Sequence, residues 1–378
     1  MKELIENARN IVIFTHMAPD GDAMGSSLAM WHWCRDRFAE RPQAELAVGQ
    51  VTVIVPNAFP AFFNWMPGAD KILVYEKSQM KCNEIIAKAD LFICTDFNDP
   101  KRIGPMGEKM LANGCPKILI DHHLLDRDKV AQRQKTADAQ GQKEWYDEEY
   151  VDSGASSACE IVYRLIAAEA ADRCAERPSQ SDCKTANAER PLALKAEIAT
   201  CIYTGLMTDT GNFSYNSTSA ELYDIIASLL RAGVQKDAIY DAVFNQYSSD
   251  RMRLIGYALH RKMRIYPEYH LALITLTADE LDRYHHQPGD CEGLVNMPLQ
   301  IGDVYYSVFM REERAKPGTP KSRIRISFRS QGDRPVNVWA SEVFHGGGHM
   351  NASGGELFGS IDQAVRMFEQ SYRKYLKI

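Results

Sequence analysis

The sequence predicts an α/β fold divided into two domains, and three observations indicate it. Short apolar runs alternate with helical stretches through the first half of the chain, as they do when helices connect the strands of a sheet. Most of these runs are apolar at every position, which is typical of a parallel sheet covered by helices on both faces. The length of 378 residues exceeds that of one typical core, so we expect a second domain.

The first half of the chain contains five predicted strands: NIVIFT, VTVIVP, KILVYE, ADLFICTD and PKILIDHH. Helix candidates between them include GSSLAMWHWCRDRFAE and KCNEIIAKAD. A polar segment near residues 168–190 has no apolar periodicity, and we interpret it as a surface insertion or loop. Helical sequence then resumes at Pro191, is interrupted by TDTGNFSYNSTS, and continues in AELYDIIASLLRAGV.

The pattern changes after NQYSSDRMRLIGYALHRKMRIYP, where a second set of strands begins. These strands are LALITLT, VYYSVFMRE and SRIRISFRS, with a helix candidate at CEGLVNMPLQ. We therefore predict a first domain over residues 1–247 and, over residues 248–378, a linker and a smaller second domain.

Composition excludes several classes of protein. Apolar residues make up 45% and charged residues 25%, which is typical of a soluble globular protein. A net charge of -6 argues against long duplex DNA as the main ligand. The N-terminus does not resemble a signal peptide, and no window approaches the roughly 20 apolar residues of a membrane span. Nine scattered cysteines without a Cys-x-x-Cys pair favour reduced thiols and a cytoplasmic location. The oligomeric state stays open, with a homodimer among the arrangements we consider.

Acidic residues and histidines collect at or after the ends of apolar stretches: His16, Asp20, Asp22, Asp96, Asp121, His122, His123 and Asp209. The carboxyl ends of strands in open α/β sheets meet at one edge, where ligands usually bind. Five carboxylates and three imidazoles at that edge would repel one another and titrate unfavourably unless cations held them.

The types of these residues indicate the metal and the chemistry. Imidazole and carboxylate ligands without thiolate favour manganese, iron, cobalt or zinc over calcium, and magnesium uses imidazole poorly. There are more carboxylates than one ion can use, which favours two ions sharing an aspartate. Two such ions, about 3.5–4 Å apart, are a standard device for hydrolysing phosphoesters. Taken singly, Asp20, Asp22 and Asp209 would more often be turn or cap residues, but together they favour a metal site.

Five motifs resemble those of the DHH phosphoesterase family. HMAPDGDAMGS, TDFND, IDHH and TDTGNFSY resemble the family's four motifs in order, and FHGGGHMNASG resembles the glycine-rich signature of the DHH-associated domain. The resemblance covers nearly the whole chain and is strongest to bifunctional oligoribonucleases that also act as phosphoadenosine-phosphate phosphatases. It implies a parallel-sheet DHH catalytic domain with helices on both faces, plus a smaller α/β C-terminal substrate-binding domain.

The resemblance also implies roles for the residues of the first domain. The first metal would be held by His16, Asp20 and Asp96. The second would be held by four residues, with Asp96 bridging: Asp22, Asp96, His122 and Asp209. Asp121 would orient a neighbouring ligand, and His123 would stabilise charge on the substrate phosphate or protonate the leaving oxygen. The family usually uses two manganese ions.

The second domain carries a basic stretch, Arg311 to Arg334, with eight Lys or Arg against three acids. A charge run is usually a solvated face, but Arg323, Arg325 and Arg329 alternate along one predicted strand and so point to one side of the sheet. By resemblance, Arg329 and His349 contact the substrate, and two glycines form a backbone cradle for phosphate: Gly347 and Gly348.

We therefore expect a manganese-dependent enzyme that hydrolyses short single-stranded RNA, of about two to five nucleotides, to mononucleotides and dephosphorylates phosphoadenosine phosphate. Three alternatives stay open. A cyclic or linear dinucleotide phosphodiesterase, or an exopolyphosphatase or pyrophosphatase, would use a related metal site. A non-catalytic protein that binds single-stranded nucleic acid would have no use for two metals.

Overall fold

The structure is a computed structural model that describes residues 1–40, 50–123, 145–176, 194–315 and 321–376. The chain divides into two compact units, Met1–Gln246 (unit 1) and Tyr247–Ile378 (unit 2). The functional roles that the sequence assigned to residues 1–247 and 248–378 stay predictions.

Unit 1 is built on a parallel sheet of six strands in the order β3-β2-β1-β4-β5-β6. The strands are β1 (Asn10–Phe14), β2 (Gln50–Val55), β3 (Leu73–Val74), β4 (Leu91–Thr95), β5 (Lys117–Asp121) and β6 (Glu148–Val151). β1 and β4 are neighbours, and the chain moves outward from them in opposite directions, to β2 and to β5. This reversal is the position where open α/β sheets bind ligands.

Helices cover both faces of this sheet: α1 (Lys2–Asn7), α2 (Gly21–Ala39), α3 (Gln79–Lys88), α4 (Pro105–Ala112), α5 (Ala158–Glu176), α6 (Ala196–Asp209), α7 (Ala220–Arg231) and α8 (Lys236–Phe244). Ile11 and Ile13 of β1 pack in the same core as α2, α5 and α6, whereas Val12 and Phe14 pack in the core that contains α3 and α4. Both faces of β1 are therefore buried, and the predicted α/β class with a parallel sheet is confirmed.

Two strands differ from the sequence-based expectation. The run KILVYE forms a strand only at Leu73–Val74, between short 3-10 helices at Ala69–Lys71 and Tyr75–Lys77. β6, with the sequence EEYV, was not predicted. It pairs only with β5 among the described strands, and its polar composition gives no apolar run to detect.

The polar segment near residues 168–190 was interpreted as a loop, and its first part is helical instead. α5 runs without a break to Glu176. Alanine and glutamate favour helix even where apolar periodicity is weak, which accounts for the difference. The rest of that segment, residues 177–193, lies outside the described residues.

Glycines allow α2, α5 and α6 to approach one another closely. A Cβ atom on Gly25 of α2 would lie 2.5 Å from the carbonyl oxygen of Cys201 in α6. A Cβ on Gly21 would overlap Thr208 near the end of α6, and a Cβ on Gly205 would overlap Cys159 of α5. Because the Gly21 contact joins the first turn of α2 to the last turn of α6, it brings the start of one helix and the end of the other to one place.

Unit 2 contains a mixed sheet in the order β11-β12-β10-β9-β8-β7, in which only the β8–β9 pair is parallel among the described strands. Its strands are β7 (Arg264–Tyr266), β8 (Leu271–Leu276), β9 (Tyr306–Glu313), β10 (Arg323–Ser330), β11 (Gly347–His349) and β12 (Ala352–Phe358). Its α-helices are α9 (Ser249–Tyr257), α10 (Ala278–Arg283), α11 (Asn337–Phe344) and α12 (Ile361–Tyr375).

The two faces of β10 differ in character. Ile324, Ile326 and Phe328 are buried in the core formed with α11 and α12. The alternating residues, which include the three arginines identified in the sequence, therefore lie on the opposite face. The helix candidate CEGLVNMPLQ forms a 3-10 helix over Leu294–Gln300. Within the part of the chain that the structure describes, no helix has both the length and the apolar character needed to span a membrane.

The close contact between α2 and α6 predicts the effect of adding one methyl group. Gly25→Ala should destabilise unit 1 by about 1–3 kcal/mol, because its Cβ would meet backbone that cannot rotate away. Gly114→Ala is the matched control: Gly114 is exposed in the same unit, and a Cβ there meets nothing within 4 Å. Urea unfolding followed by circular dichroism measures both changes. An unchanged midpoint for Gly25→Ala would contradict this packing.

Candidate metal centre

The predicted ligands come from three strand ends and two helix ends. His16 follows β1, Asp96 follows β4 and His122 follows β5. Asp22 lies in the first turn of α2, and Asp209 is the last residue of α6. The reversal of strand order between β1 and β4 and the close contact of α2 with α6 thus bring together residues that are far apart in the sequence.

Asp96 lies at the middle of this group. Its backbone has the left-handed φ of 64°, which is unusual for a residue other than glycine, and only 2% of its surface is exposed. Oδ2 lies 3.2 Å from Nε2 of His16, and Oδ1 lies 3.6 Å from Nε2 of His122. Oδ1 accepts no hydrogen bond from any of the described residues. A buried carboxylate oxygen without a partner is costly, and a cation beside it would remove that cost.

The first set of potential ligands comprises His16, Asp20 and Asp96, whose ligand atoms lie within 4.8 Å of one another. Nδ1 of His16 lies 2.9 Å from the carbonyl oxygen of Met17, so it carries the hydrogen and donates it there. The lone pair is then on Nε2, which faces Asp96. Asp20 uses Oδ1 to cap α2, and its Oδ2 lies 3.8 Å from Nε2 of His16.

The second set comprises Asp22, His122 and Asp209, again within 4.8 Å. Nε2 of His122 lies 3.8 Å from Oδ2 of Asp22 and 3.5 Å from Oδ2 of Asp209. With Asp96 at 3.6 Å, one imidazole nitrogen has three carboxylates around it. Asp96 thus has one oxygen near each set, which is the geometry that a bridging ligand requires. The individual ligand roles stay predictions.

The start of α5 holds Asp22 in place, a contact that the sequence reasoning missed. Oδ2 of Asp22 accepts a hydrogen bond from the backbone N–H of Ala158 at 2.6 Å, and Oδ1 accepts one from Cys159 at 2.9 Å. Backbone N–H groups at a helix start favour a negative charge. Ser157 caps this helix start, since its hydroxyl accepts from the Glu160 N–H at 3.2 Å, and the Glu160 carboxylate accepts from the Ser156 N–H at 2.7 Å. The sequence SGASSACE marks the helix start but not its partner.

Asp121 and His123 form a separate contact beside Asp96. Oδ1 of Asp121 accepts from Nδ1 of His123 at 2.7 Å, and Oδ2 accepts from the side-chain amide of Asn98 at 2.8 Å. Asp121 is fully buried, so these bonds hold its carboxylate and, through it, the His123 ring. Asn98 was not among the predicted site residues, although it lies in the TDFND motif.

Burial and mutual repulsion shift the titration of this cluster. Burial, together with the charge of Asp96, raises the pKa of Asp22 to about 6. Burial, together with the charges of Asp22 and the other nearby carboxylates, raises the pKa of Asp209 well above its usual value. Burial alone would raise the pKa of Asp96, but the imidazoles of His122 and His16 hold it well below its usual range. Burial alone would lower the pKa of His122, but the surrounding carboxylates raise it well above the ordinary value. Without metal ions, bound protons compensate the negative charges of these carboxylates. Divalent cations would take the place of those protons.

The residues present therefore fit a pair of divalent cations. The donors are imidazole nitrogens and carboxylate oxygens, the chemistry of manganese, iron, cobalt or zinc sites. Each of the two sets supplies at least one imidazole and two carboxylates within a few ångströms.

Unit 2 brings the predicted substrate-binding residues into one row. Arg329 of β10 is directly opposite Ala352 of β12, which is directly opposite His349 of β11. Residues opposite one another in antiparallel strands share a face, so Arg329 and His349 lie on the same side of the sheet. Gly347, two residues before His349, lies on that face as well.

The glycines of the HGGGH motif serve different purposes. A Cβ on Gly346 would overlap the carbonyl oxygen of Gly354, so this residue must be glycine for the strands to pack. Gly348 has a φ of 137°, and a Cβ there would lie 2.6 Å from the carbonyl oxygen of Ala352. A Cβ on Gly347 meets nothing within 4 Å. Of these three glycines, only Gly347 has open space where a side chain would be. The structural need for glycine at position 346 was not predicted.

Comparison with known proteins identifies similar sequences. The profile of a family described as "DHH family, N-terminal domain" matches residues 10–206. Two curated relatives are both called "Bifunctional oligoribonuclease and PAP phosphatase NrnA". The Bacillus subtilis protein is 23% identical over 94% of this chain and 92% of its own length. The Thermus thermophilus protein is 26% identical over 97% and 90%.

One solved structure is also similar over nearly the full length. It is the crystal structure of an exopolyphosphatase-related protein from Bacteroides fragilis, which is 40% identical to this chain. The match covers 99% of this chain and 94% of that one, with a TM-score of 0.78. This similarity extends to unit 2, which lies beyond the residues that the family profile matches.

The position of Asp96 predicts a loss of metal binding when its charge is removed. Asp96→Asn should weaken Mn²⁺ binding at least about 100-fold, because the amide keeps the shape but supplies one neutral oxygen in place of two charged ones. Asp99→Asn is the control from the same loop, since the Asp99 side chain caps Lys101 N–H at 3.0 Å, which asparagine also does. Isothermal titration calorimetry measures both. Equal affinities in the two variants would exclude Asp96 as a ligand.

Proposed function

The chain belongs to the DHH family, and we propose that it is a manganese-dependent phosphoesterase that hydrolyses short oligoribonucleotides to mononucleotides. We propose that it also removes a phosphate from phosphoadenosine phosphate. The names of the two NrnA relatives support this substrate class, and both align with this chain over most of its length. The observation that carries the proposal is the buried Asp96 carboxylate, which has one oxygen toward each set of ligands.

We assign the chemistry to the residues as follows. Two divalent cations at this centre would supply a water of lowered pKa and positive charge opposite the phosphorus. His16 offers Nε2 as a ligand because its Nδ1–H is engaged by the Met17 carbonyl. Asp121 holds the Nδ1 side of His123, which fixes the ring, and we assign Nε2 of His123 to an oxygen of the reacting phosphate. There it would stabilise charge or protonate the leaving oxygen.

Unit 2 would bind the nucleotide. Arg329 offers a planar guanidinium suited to phosphate, and His349 lies on the same face of the sheet. The open space over Gly347 lets a ligand approach the backbone closely. Gly348 lies next to it and completes the proposed backbone cradle.

The substrate class is tested by product release in the presence of manganese. We expect rapid release of mononucleotide from diadenylate and of inorganic phosphate from phosphoadenosine phosphate, with pyrophosphate and polyphosphate cleaved at least about 100-fold more slowly. Asp209→Asn should lower both nucleotide activities by at least about 100-fold. Asp237→Asn is the control, since Asp237 is exposed on α8.

Two outcomes would contradict the proposal. Cleavage of polyphosphate with diadenylate spared would leave the metal centre in place and exclude the nucleotide substrate. Full activity of Asp209→Asn would exclude this cluster as the catalytic centre.

The glycines predict a separation of folding from substrate binding. Gly347→Val should leave unit 2 folded, because its side chain enters open space on a strand, and should raise KM for diadenylate about tenfold by blocking approach to the backbone. Gly346→Val should instead destabilise unit 2, because its side chain would overlap Gly354. Thermal unfolding and steady-state kinetics measure the two effects. An unchanged KM in Gly347→Val would show that no ligand approaches there.

A further inference from the structure

Three arginines in the strands of unit 2 share one face of the sheet with two glutamates. On this face, Arg325 of β10 lies directly opposite Arg311 of β9 on one side and Glu356 of β12 on the other. Arg323 is likewise opposite Glu313. Because opposite residues share a face, these five side chains form one charged group, which we call the arginine cluster.

The two glutamates are bound by arginines other than Arg325. Nε of Arg323 donates to Oε2 of Glu356 at 2.7 Å, and a second nitrogen of the same guanidinium contacts the same oxygen. Arg311 donates to Oε1 of Glu313 at 3.1 Å. The face therefore carries three arginines and two glutamates. Each glutamate accepts a hydrogen bond from one of the other two arginines and none from Arg325.

Arg325 makes a long ion pair with Glu313 and, among the described residues, no hydrogen bond from its guanidinium. Its closest carboxylate is Glu313 at 3.9 Å, beyond hydrogen-bonding distance. Its side chain is only 34% exposed. Burial lowers the pKa of Arg325 and the charges of Arg323 and Arg311 lower it further, whereas the carboxylates of Glu313 and Glu356 raise it. A half-buried guanidinium with unused donors is suited to an anion.

We propose that Arg325 binds an internal phosphate of an oligonucleotide whose end is held at Arg329, and so favours substrates longer than a dinucleotide. This inference rests on the proposed function, since it extends the nucleotide site of unit 2. Ser327 lies between the two arginines on the same face, with Gly354 of β12 opposite it on one side and the buried Phe309 of β9 on the other, so along β10 itself only the serine side chain separates them.

The distance between Arg325 and Arg329 along β10 determines how long a substrate must be to contact both. Arg325 and Arg329 are four residues apart on one strand, which is about 13 Å at a rise of about 3.3 Å per residue. This is farther than a single internucleotide linkage spans, so a dinucleotide held at Arg329 would not reach Arg325. A pentanucleotide would cross both positions, and phosphate is the only charged group that recurs along it.

The experiment measures binding rather than turnover, with diadenylate and pentaadenylate as probes. Calorimetric titrations in EDTA compare the wild-type chain with Arg325→Gln at several salt concentrations. The control is the double variant Arg323→Gln with Glu356→Gln, which removes a neighbouring ion pair from the same face without changing the net charge. Arg325→Lys keeps the charge and loses the planar fork.

We expect Arg325→Gln to weaken pentaadenylate binding about tenfold, the size of one charge-assisted hydrogen bond, and diadenylate binding less than about twofold. The slope of log K against log salt for pentaadenylate should become less negative by about 0.7, as for one lost phosphate contact on a single strand. Arg325→Lys should keep that slope, and the double variant should bind both probes like the wild type.

Other results would overturn the inference. An equal loss for both probes, or no loss for pentaadenylate, would exclude a contact beyond the dinucleotide. A lower melting temperature of Arg325→Gln would indicate a structural role, because a half-buried guanidinium with only a long ion pair to Glu313 should contribute little to the stability of the fold. The proposed function can fail separately: absence of hydrolysis in manganese would refute it even if the length dependence of binding holds.

Discussion

The repulsion among buried carboxylates at the end of β1 and β4 is the constraint on which unit 1 depends. Asp96 and Asp22 are almost fully buried, and they lie close enough for their charges to repel one another. Two neighbouring negative charges in buried surroundings are unfavourable unless they are compensated. The protein compensates with imidazoles on either side of Asp96 and with two backbone N–H groups of α5 on Asp22. One oxygen of Asp96 is still unpartnered among the described residues, which is the remaining place for a cation.

The scaffold meets this constraint by bringing helices unusually close. Gly21, Gly25 and Gly205 remove the side chains that would hold α2, α5 and α6 apart. As a result Asp22 reaches the N–H groups of α5, and Asp209 at the end of α6 reaches His122. The strand order places His16 and Asp96 side by side, so sheet topology and helix packing contribute different members of one cluster.

Much of this could be predicted from sequence because the determining features are local. Apolar runs identified β1, β2, β4 and β5, and the position of acids and histidines at strand ends identified the candidate ligands. Contacts between distant segments left no such signal: the α5 amides that hold Asp22, the amide of Asn98 on Asp121, and the overlap that makes Gly346 obligatory. In unit 2 the sequence showed three alternating arginines. It did not show which arginine pairs with which glutamate, so Arg325 could not be distinguished from Arg323.

The shared carboxylate is tested most directly by electron paramagnetic resonance during titration with Mn²⁺. Two ions that share Asp96 would lie about 3.5–4 Å apart and couple magnetically. We expect the resolved signal of isolated Mn²⁺ to be absent or strongly attenuated at two equivalents, replaced by that of a coupled pair. A signal that grows as independent ions, or that saturates at one equivalent, would contradict the account.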